Sequence, residues 1–285
     1  MLSPLGLLNA LGGMGRHCET RSVPYGPGPR QSLDIYRPHM RGRPPAPVVV
    51  FFYGGGWVEG DRALYRFVGA ALAAQGFVTV IPDYRVHPEV RFPTFLEDGA
   101  RAVQWVRGQI GTFGGDPDRM VLMGHSAGAH LAAMLSFDRQ WLGAYGLVPG
   151  RDLRGMVGLA GPYDFLPLRT AVLKSIFGPE SRWPESQPIR FVDGTAPPAW
   201  LATGRVDTVV DPGNAVRLAA RIHAAGGHAE VQTYDRVGHA TLLGAISPLL
   251  RPLAPVTRDV AQFITAVTRH SPAWLAPLHS QQAHA

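Results

Sequence analysis

Two side chains are nearly missing from this chain. Of its 285 residues one is cysteine, Cys18, and one is lysine, Lys174, so almost all of the 27 basic side chains are arginine. A lone thiol excludes an intrachain disulfide framework and a cysteine-based metal site, and leaves the compartment open. The arginines are scattered instead of forming a basic stripe, so the formal charge of +6 reads as a compositional habit and no nucleic-acid partner is expected. No stretch of about 18 uncharged apolar residues occurs, which excludes a membrane-spanning helix. The opening residues 2–14 are apolar and spotted with glycine but lack a basic n-region, so they make a poor signal peptide and read better as a short surface helix or staple. The expected location is cytoplasmic, or exported if a longer leader has been removed. With 46% hydrophobic residues, the chain has enough apolar material for one large core, and a single domain over 1–285 is expected, with an apolar N-terminal segment at 1–20.

What is present is alternation. Polar and apolar residues alternate over 21–38 around Gly26-Pro27-Gly28-Pro29, which predicts an antiparallel hairpin. Residues 48–53 form a continuous β-branched and aromatic run, the pattern of a strand buried on both faces, and lead straight into Gly54-Gly55-Gly56-Trp57. Helical spacing follows at 64–74 and 94–110, with a second buried strand at 77–81 between them. Further strands are expected at 155–160, 199–203 and 229–234, and further helices at 213–225 and 257–268. Strands alternating with helices at this spacing define an α/β class with a mostly parallel sheet and helices on both faces, and active sites in such sheets lie at the carboxyl ends of the strands. Residues 162–198, rich in proline and aromatics and weakly periodic, are too long for an ordinary connection and are expected to form a cap or lid. Residues 271–285 read as a frayed tail.

The stretch with most chemical content runs from Met120. Val121-Leu122-Met123 leads into Gly124-His125-Ser126-Ala127-Gly128, and an Ala/Leu-rich helical run follows. Strand, Gly-x-Ser-x-Gly and helix together make a sharp turn that lifts a serine clear of the sheet, with the positive end of the helix behind it. Ser126 is the candidate nucleophile. A serine is weak at neutral pH and needs a base within reach, and an acid to orient the base. His239, just past the strand at 229–234 and beside Gly238, is the candidate base; Asp207, a few residues past the strand at 199–203, is the candidate acid. Asp211 precedes Pro212 and reads as a helix cap instead. Backbone N–H groups of Gly54, Gly55 and Ala127 are the candidate oxyanion donors, each worth about 3 kcal/mol in precedent. The triple glycine lacks the Gly-Lys-[Ser/Thr] ending of a phosphate loop and the spacing of a dinucleotide turn.

With Gly54-Gly55-Gly56-Trp57, Asp83-Tyr84-Arg85, Gly115-Asp116-Pro117, Gly124 to His130 and the Asp207 and His239 loops in this order, the chain resembles the α/β-hydrolases. Within them it is most similar to hormone-sensitive-lipase-like carboxylesterases and to the branch holding feruloyl and acetyl-xylan esterases, kynurenine formamidase and prenylcysteine methylesterase. The resemblance covers about residues 25–267. It implies a serine carboxylesterase that forms an acyl-enzyme on a small, short-acyl ester, without metal or organic cofactor, as a monomer or homodimer. It further implies that Trp57, His125 and Tyr163 contact substrate, and that Tyr163, Phe165, Phe177 and Trp183 belong to the cap. The family's loop usually opens with histidine where this chain has Tyr53, whose hydroxyl is expected to brace the loop instead. Two other functions fit the same residues: an arylformamidase acting on N-formyl amides, and a non-catalytic binder of a small ligand.

Overall fold

The computed structural model describes residues 6, 8–9, 17–39 and 44–269; most of the segment 1–20 that precedes β1 and all of the tail 271–285 lie outside the described residues. The sheet has eight strands: β1 (Cys18–Pro24), β2 (Ser32–Arg37), β3 (Ala46–Phe52), β4 (Val78–Pro82), β5 (Gly115–His125), β6 (Gly155–Leu159), β7 (Ala199–Gly204) and β8 (Ala229–Tyr234). Their order is β1-β2-β4-β3-β5-β6-β7-β8. The β1–β2 hairpin and the β2–β4 pair are antiparallel, and every other pairing is parallel. β3 and β5 lie side by side in the middle, and Val48, Val49, Val50, Phe51 and Phe52 are fully buried, as an uninterrupted apolar run requires.

The helices on the faces follow the apolar spacing. They are α1 (Arg66–Ala74), α2 (Thr94–Gln109), α3 (Ala127–Phe137), α4 (Arg139–Gly143), α5 (Pro149–Asp152), α6 (Ala171–Phe177), α7 (Gly213–Ala224), α8 (His239–Gly244) and α9 (Val256–Thr268). On α2, Phe95, Leu96, Val103 and Val106 are buried while Gln104 and Arg107 face outward, an amphipathic stripe at helical period. α4, α5 and α8 are not legible in the sequence, because four to six residues are too few to show a period. Among the described residues no helix is long and apolar enough to cross a membrane.

Two local differences from the sequence reading have physical causes. β5 begins well ahead of the apolar run at 121–123: Gly115 and Asp116 pair with Ala46 and Pro47, and the register then jumps so that Val48 meets Met120. A bulge absorbs the surplus, held by the Asp116 carboxylate accepting the Asp118 N–H at 2.9 Å. Residues 162–198 contain α6 and 3-10 turns at Glu180–Ser186 and Pro188–Phe191. Pro184 and Pro188 keep those turns short, which accounts for the weak periodicity.

At the junction of β5 and α3 backbone packs directly on backbone. A Cβ on Gly128 would lie 2.0 Å from the Phe52 carbonyl oxygen, and one on Gly124 would lie 2.1 Å from the Gly128 carbonyl oxygen. Gly128→Ala therefore forces the helix off the sheet and is expected to lower the thermal midpoint by about 10 °C or more, or to prevent soluble expression. Gly108→Ala, at an exposed α2 position with nothing within 4 Å of the added carbon, is the control and should be neutral or stabilising by up to about 1 kcal/mol. Thermal melts of both variants check this.

Candidate active site

At the carboxyl end of β5 the chain turns through Ser126, whose φ of 54° lies in the left-handed region. Such a conformation costs a non-glycine residue about 1–3 kcal/mol and persists only where the surroundings impose it. Here the Ser126 N–H is held by the Leu159 carbonyl at 2.9 Å, and the Ser126 carbonyl accepts the His130 N–H at 3.1 Å as α3 begins. Ser126 Oγ lies 2.8 Å from His239 Nε2, and His239 Nδ1 lies 2.9 Å from Asp207 Oδ2. Three loops, after β5, β7 and β8, deliver these groups to one point.

Asp207 uses its two oxygens differently. Oδ1 accepts the N–H groups of Val209 and Val210 at 2.8 and 3.0 Å, which fixes the carboxylate to its own loop, and Oδ2 is left for His239. Its side chain is fully buried. A carboxylate can only accept, so His239 carries its proton on Nδ1 and presents the Nε2 lone pair to the Ser126 hydroxyl. Asp211 is engaged elsewhere. Its Oδ1 accepts the Gly213 N–H at 2.9 Å, its Oδ2 pairs with Arg217 at 3.0 Å, and these contacts hold its carboxyl below the ordinary value. It stays at the start of α7.

The loop after β3 runs against the serine. A Cβ on Gly54 would sit 3.1 Å from Ser126 Cβ, a tight contact, and one on Gly55, at φ 134°, would sit 2.1 Å from the Glu59 carbonyl oxygen, so Gly55 admits no side chain. Ala127, the first residue of α3, has an N–H without an intrahelical acceptor. Gly56 forms part of the cavity wall, a position the sequence reading did not assign.

Tyr53 braces this loop from below. It is fully buried, its ring stacks against Tyr84 at 4.7 Å and Tyr65 at 5.2 Å, and its hydroxyl donates to Asp83 Oδ1 at 2.8 Å while accepting from Arg30 at 3.0 Å. Burial pushes the phenol well above its usual value, so it remains a neutral donor. Asp83 also accepts the Arg62 N–H and pairs with the Arg62 guanidinium, and Tyr84 donates its hydroxyl to the Tyr53 carbonyl at 2.7 Å. Arg85 forks onto Asp98. Asp83-Tyr84-Arg85 is thus a tie between loops.

A cavity of about 560 Å³ opens beside Ser126, lined by Gly56, Trp57, Phe165, Leu173, Val209 and Asn214 among others. Of the three residues expected to contact substrate, Trp57 is in this wall, and Tyr163 and His125 are not. Tyr163 is 1% exposed: its backbone N–H is held by Asn214 Oδ1 at 2.8 Å, and its ring packs on Gly158 and Gly161. His125 points across the back of the site, where Nε2 donates to the His239 carbonyl at 3.1 Å. Burial, with repulsion from His239 second, pushes its pKa down to about 3. Trp183 donates to the Gly178 carbonyl and packs within the cap, outside the cavity wall. Asn214 was missed, because an asparagine in the first turn of a helix carries no distinguishing signal.

A serine at positive φ between strand and helix, an aspartate and a histidine on the loops after β7 and β8, and this strand order define an α/β-hydrolase fold. The BD-FAE family model matches residues 33–222, more than half of the chain. The chain belongs to that family. It is similar to esterase LipC of Mycobacterium tuberculosis, with 32% identity over an alignment of 248 residues that covers 81% of this chain and 60% of that protein. It is also similar to isoprenylcysteine alpha-carbonyl methylesterase ICME of Arabidopsis thaliana, at 31% identity over 78% of this chain and 56% of that protein. The chain thus spans about three fifths of the length of these curated relatives. Among solved structures, a truncated carbohydrate esterase from gut microbiota superposes with a TM-score of 0.78 at 22% identity, over 90% of this chain and 98% of that one. Esterase B of Lactobacillus rhamnosis superposes with a TM-score of 0.77 at 20% identity, over 92% of each chain. At such identity these two establish the fold.

The buried polar groups carry two predictions. Removing the Tyr53 hydroxyl leaves the Arg30 guanidinium short of an acceptor and Asp83 short of a donor, so Tyr53→Phe should cost about 1–3 kcal/mol in urea unfolding. His130, fully buried, donates Nε2–H to the Ser186 carbonyl at 2.8 Å, and burial lowers its pKa to about 4 from 6.5. Its folded pKa lies below its unfolded one, so the unfolded chain takes up the proton first and stability is lost as pH falls from about 6.5 towards 4, by roughly 3 kcal/mol. His130→Gln should flatten that slope in thermal melts across this range; an unchanged slope would refute the assignment.

Proposed function

We propose that this chain is a serine carboxylesterase working through an acyl-enzyme. The observation that carries the reading is the unbroken line from Asp207 Oδ2 through His239 to Ser126 Oγ, with both gaps under 3 Å. Its membership of the family and the names of its relatives, an esterase and a methylesterase, support the same reading. His239 Nε2 takes the hydroxyl proton as Ser126 Oγ attacks the ester carbonyl, and Asp207 stabilises the imidazolium through Nδ1. Backbone N–H groups of Gly54, Gly55 and Ala127 hold the developing oxyanion, with Gly56 next in the same loop. His239 then gives its proton to the departing alcohol, and a water activated by the same nitrogen releases the acid.

Short acyl groups fit best. Trp57, 5% exposed and enclosed by Phe165, Phe177 and His130, is a rigid wall close to the nucleophile. The site acts on a small-molecule ester.

Hydrolysis of p-nitrophenyl acetate, butyrate and octanoate tests the reading. Ser126→Ala and Asp207→Asn should each lower kcat by about 10⁴-fold or more, while Asp211→Asn should stay within about threefold of wild type. Folded wild-type protein that hydrolyses none of these esters would remove the esterase reading. Turnover of formyl anilides would then identify an arylformamidase, and its absence a ligand-binding protein.

A further inference from the structure

Exposed aliphatic side chains on a soluble protein are ordinarily scattered singly. Around the Ser126 cavity they gather. Leu166, 39% exposed, and Val209, 70% exposed, line the cavity itself. Val206, 58% exposed, precedes Asp207, and its Cγ2 lies 3.8 Å from the place where a side chain on Gly238 would begin, next to His239. Val58, 38% exposed, follows Trp57 and has a methyl at the same distance from the Cβ position of Gly56. Val172, 53% exposed, precedes Leu173 of the cavity wall on α6. Each of the five is a residue of the wall or stands next in sequence to a residue of the wall or of the Ser126–His239–Asp207 line.

Three of the four charged groups of the same wall pair with one another. Asp164 and Asp211 both pair with Arg217, at 2.6 and 3.0 Å, and Arg169 is the wall charge without a partner among the described residues. An exposed arginine can lay its aliphatic stem along an apolar ligand and keep its head in water. A sugar alcohol is held through hydrogen-bonding side chains with free capacity, and of this wall's charged side chains Arg169 alone has no partner among the described residues. Trp57 is buried, and the Asn214 amide is already occupied: its oxygen accepts the N–H groups of Tyr163 and Asp164, and its nitrogen donates to the Asp211 carbonyl.

We propose that this aliphatic rim binds the alcohol half of the substrate, and that the alcohol is a hydrocarbon chain and not a carbohydrate. The inference rests on the esterase reading, with the short acyl group lodged towards Trp57 and the alcohol leaving across Leu166 and Val209. Each methylene laid on a partly exposed rim should raise kcat/KM by about twofold, half or less of the effect of full burial.

The test compares ethyl, butyl, hexyl and octyl acetate with acetylated xylose, on wild type and on Leu166→Ser/Val209→Ser. Leu166 and Val209 are both exposed, so their replacement leaves the core packing alone. Wild type should climb along the alkyl series, and the ratio of octyl to ethyl acetate should fall at least fivefold in the variant. A flat series, a preference for acetylated xylose or an unchanged ratio would overturn the proposal while leaving the esterase reading intact. If wild type hydrolyses none of the esters, binding of 1-octanol to Ser126→Ala, followed by tryptophan fluorescence, separates the two: saturable binding weakened by the rim substitutions supports an apolar site without catalysis, and no binding overturns the rim as well.

Discussion

The backbone conformation of Ser126 is the constraint on which the rest of the site depends. At φ 54° the residue can hold its hydroxyl above the sheet only while β5, α3 and β3 meet at van der Waals distance beneath it. That contact requires glycine at 124 and 128, places α3 with its amino end at the serine, and fixes which strand ends surround it. Because β3 and β6 flank β5, the loop after β3 and the end of β6 are the nearest neighbours, and both are used. The first carries Gly54 to Trp57, and the second supplies the carbonyl of Leu159 that holds the serine N–H. The strain at one residue is thus held by packing that also sets the geometry around it.

A second layer of polar contacts keeps the glycine loop where the first layer needs it. A loop without side chains cannot pack itself into place, so its position is set by what lies under it. Tyr53 does this with both ends: the ring is clamped between two tyrosines, and the hydroxyl sits between Arg30 and Asp83. Arg30 then donates to the Gly60 carbonyl and the Tyr84 carbonyl, so one guanidinium ties the start of the loop, its end and the strand end beside it. Arg62 joins Asp83 to Asp34 on β2. Buried charges of this kind are costly unless fully paired, and here the pairing is shared among several partners. A phenol at 53 changes the chemistry of the brace without changing what the brace holds.

Sequence spacing was sufficient wherever a period was long enough to be read. The buried strands, the long helices, Ser126 and the two loops bearing Asp207 and His239 are all marked by local pattern: an apolar run, a glycine-flanked serine, a polar residue a few places past a strand. The division between Asp207 and Asp211 was legible for the same reason, since the Asp211-Pro212 pair announces a helix start. Tyr163 and His125 show where local pattern stops. Nothing next to Tyr163 in sequence reveals that Asn214, far along the chain, will hold its N–H and turn the ring onto Gly158. The same limit hid Gly56 and Asn214 from the site, and the β5 bulge from the strand. These are set by contacts between distant segments, which one sequence does not display.

The two histidines that flank the turn at Ser126 have a common logic that separates them from His239. His125 stands just before the serine and His130 four residues after it; both are buried and neutral, and each donates one hydrogen bond to a backbone carbonyl from a later part of the chain. His125 holds the carbonyl of His239, and so the loop that follows β8. His130 holds the carbonyl of Ser186, and so the cap segment, while its ring packs edge-on against Trp57. An apolar residue of the same size could fill either space but could satisfy neither carbonyl. The turn at Ser126 is therefore tied to two distant segments: its flanking side chains locate both His239 and the segment 162–198 relative to it. Since burial keeps each strut neutral in the folded chain, acid reaches this architecture through the struts, at the pH where the unfolded chain begins to hold their protons.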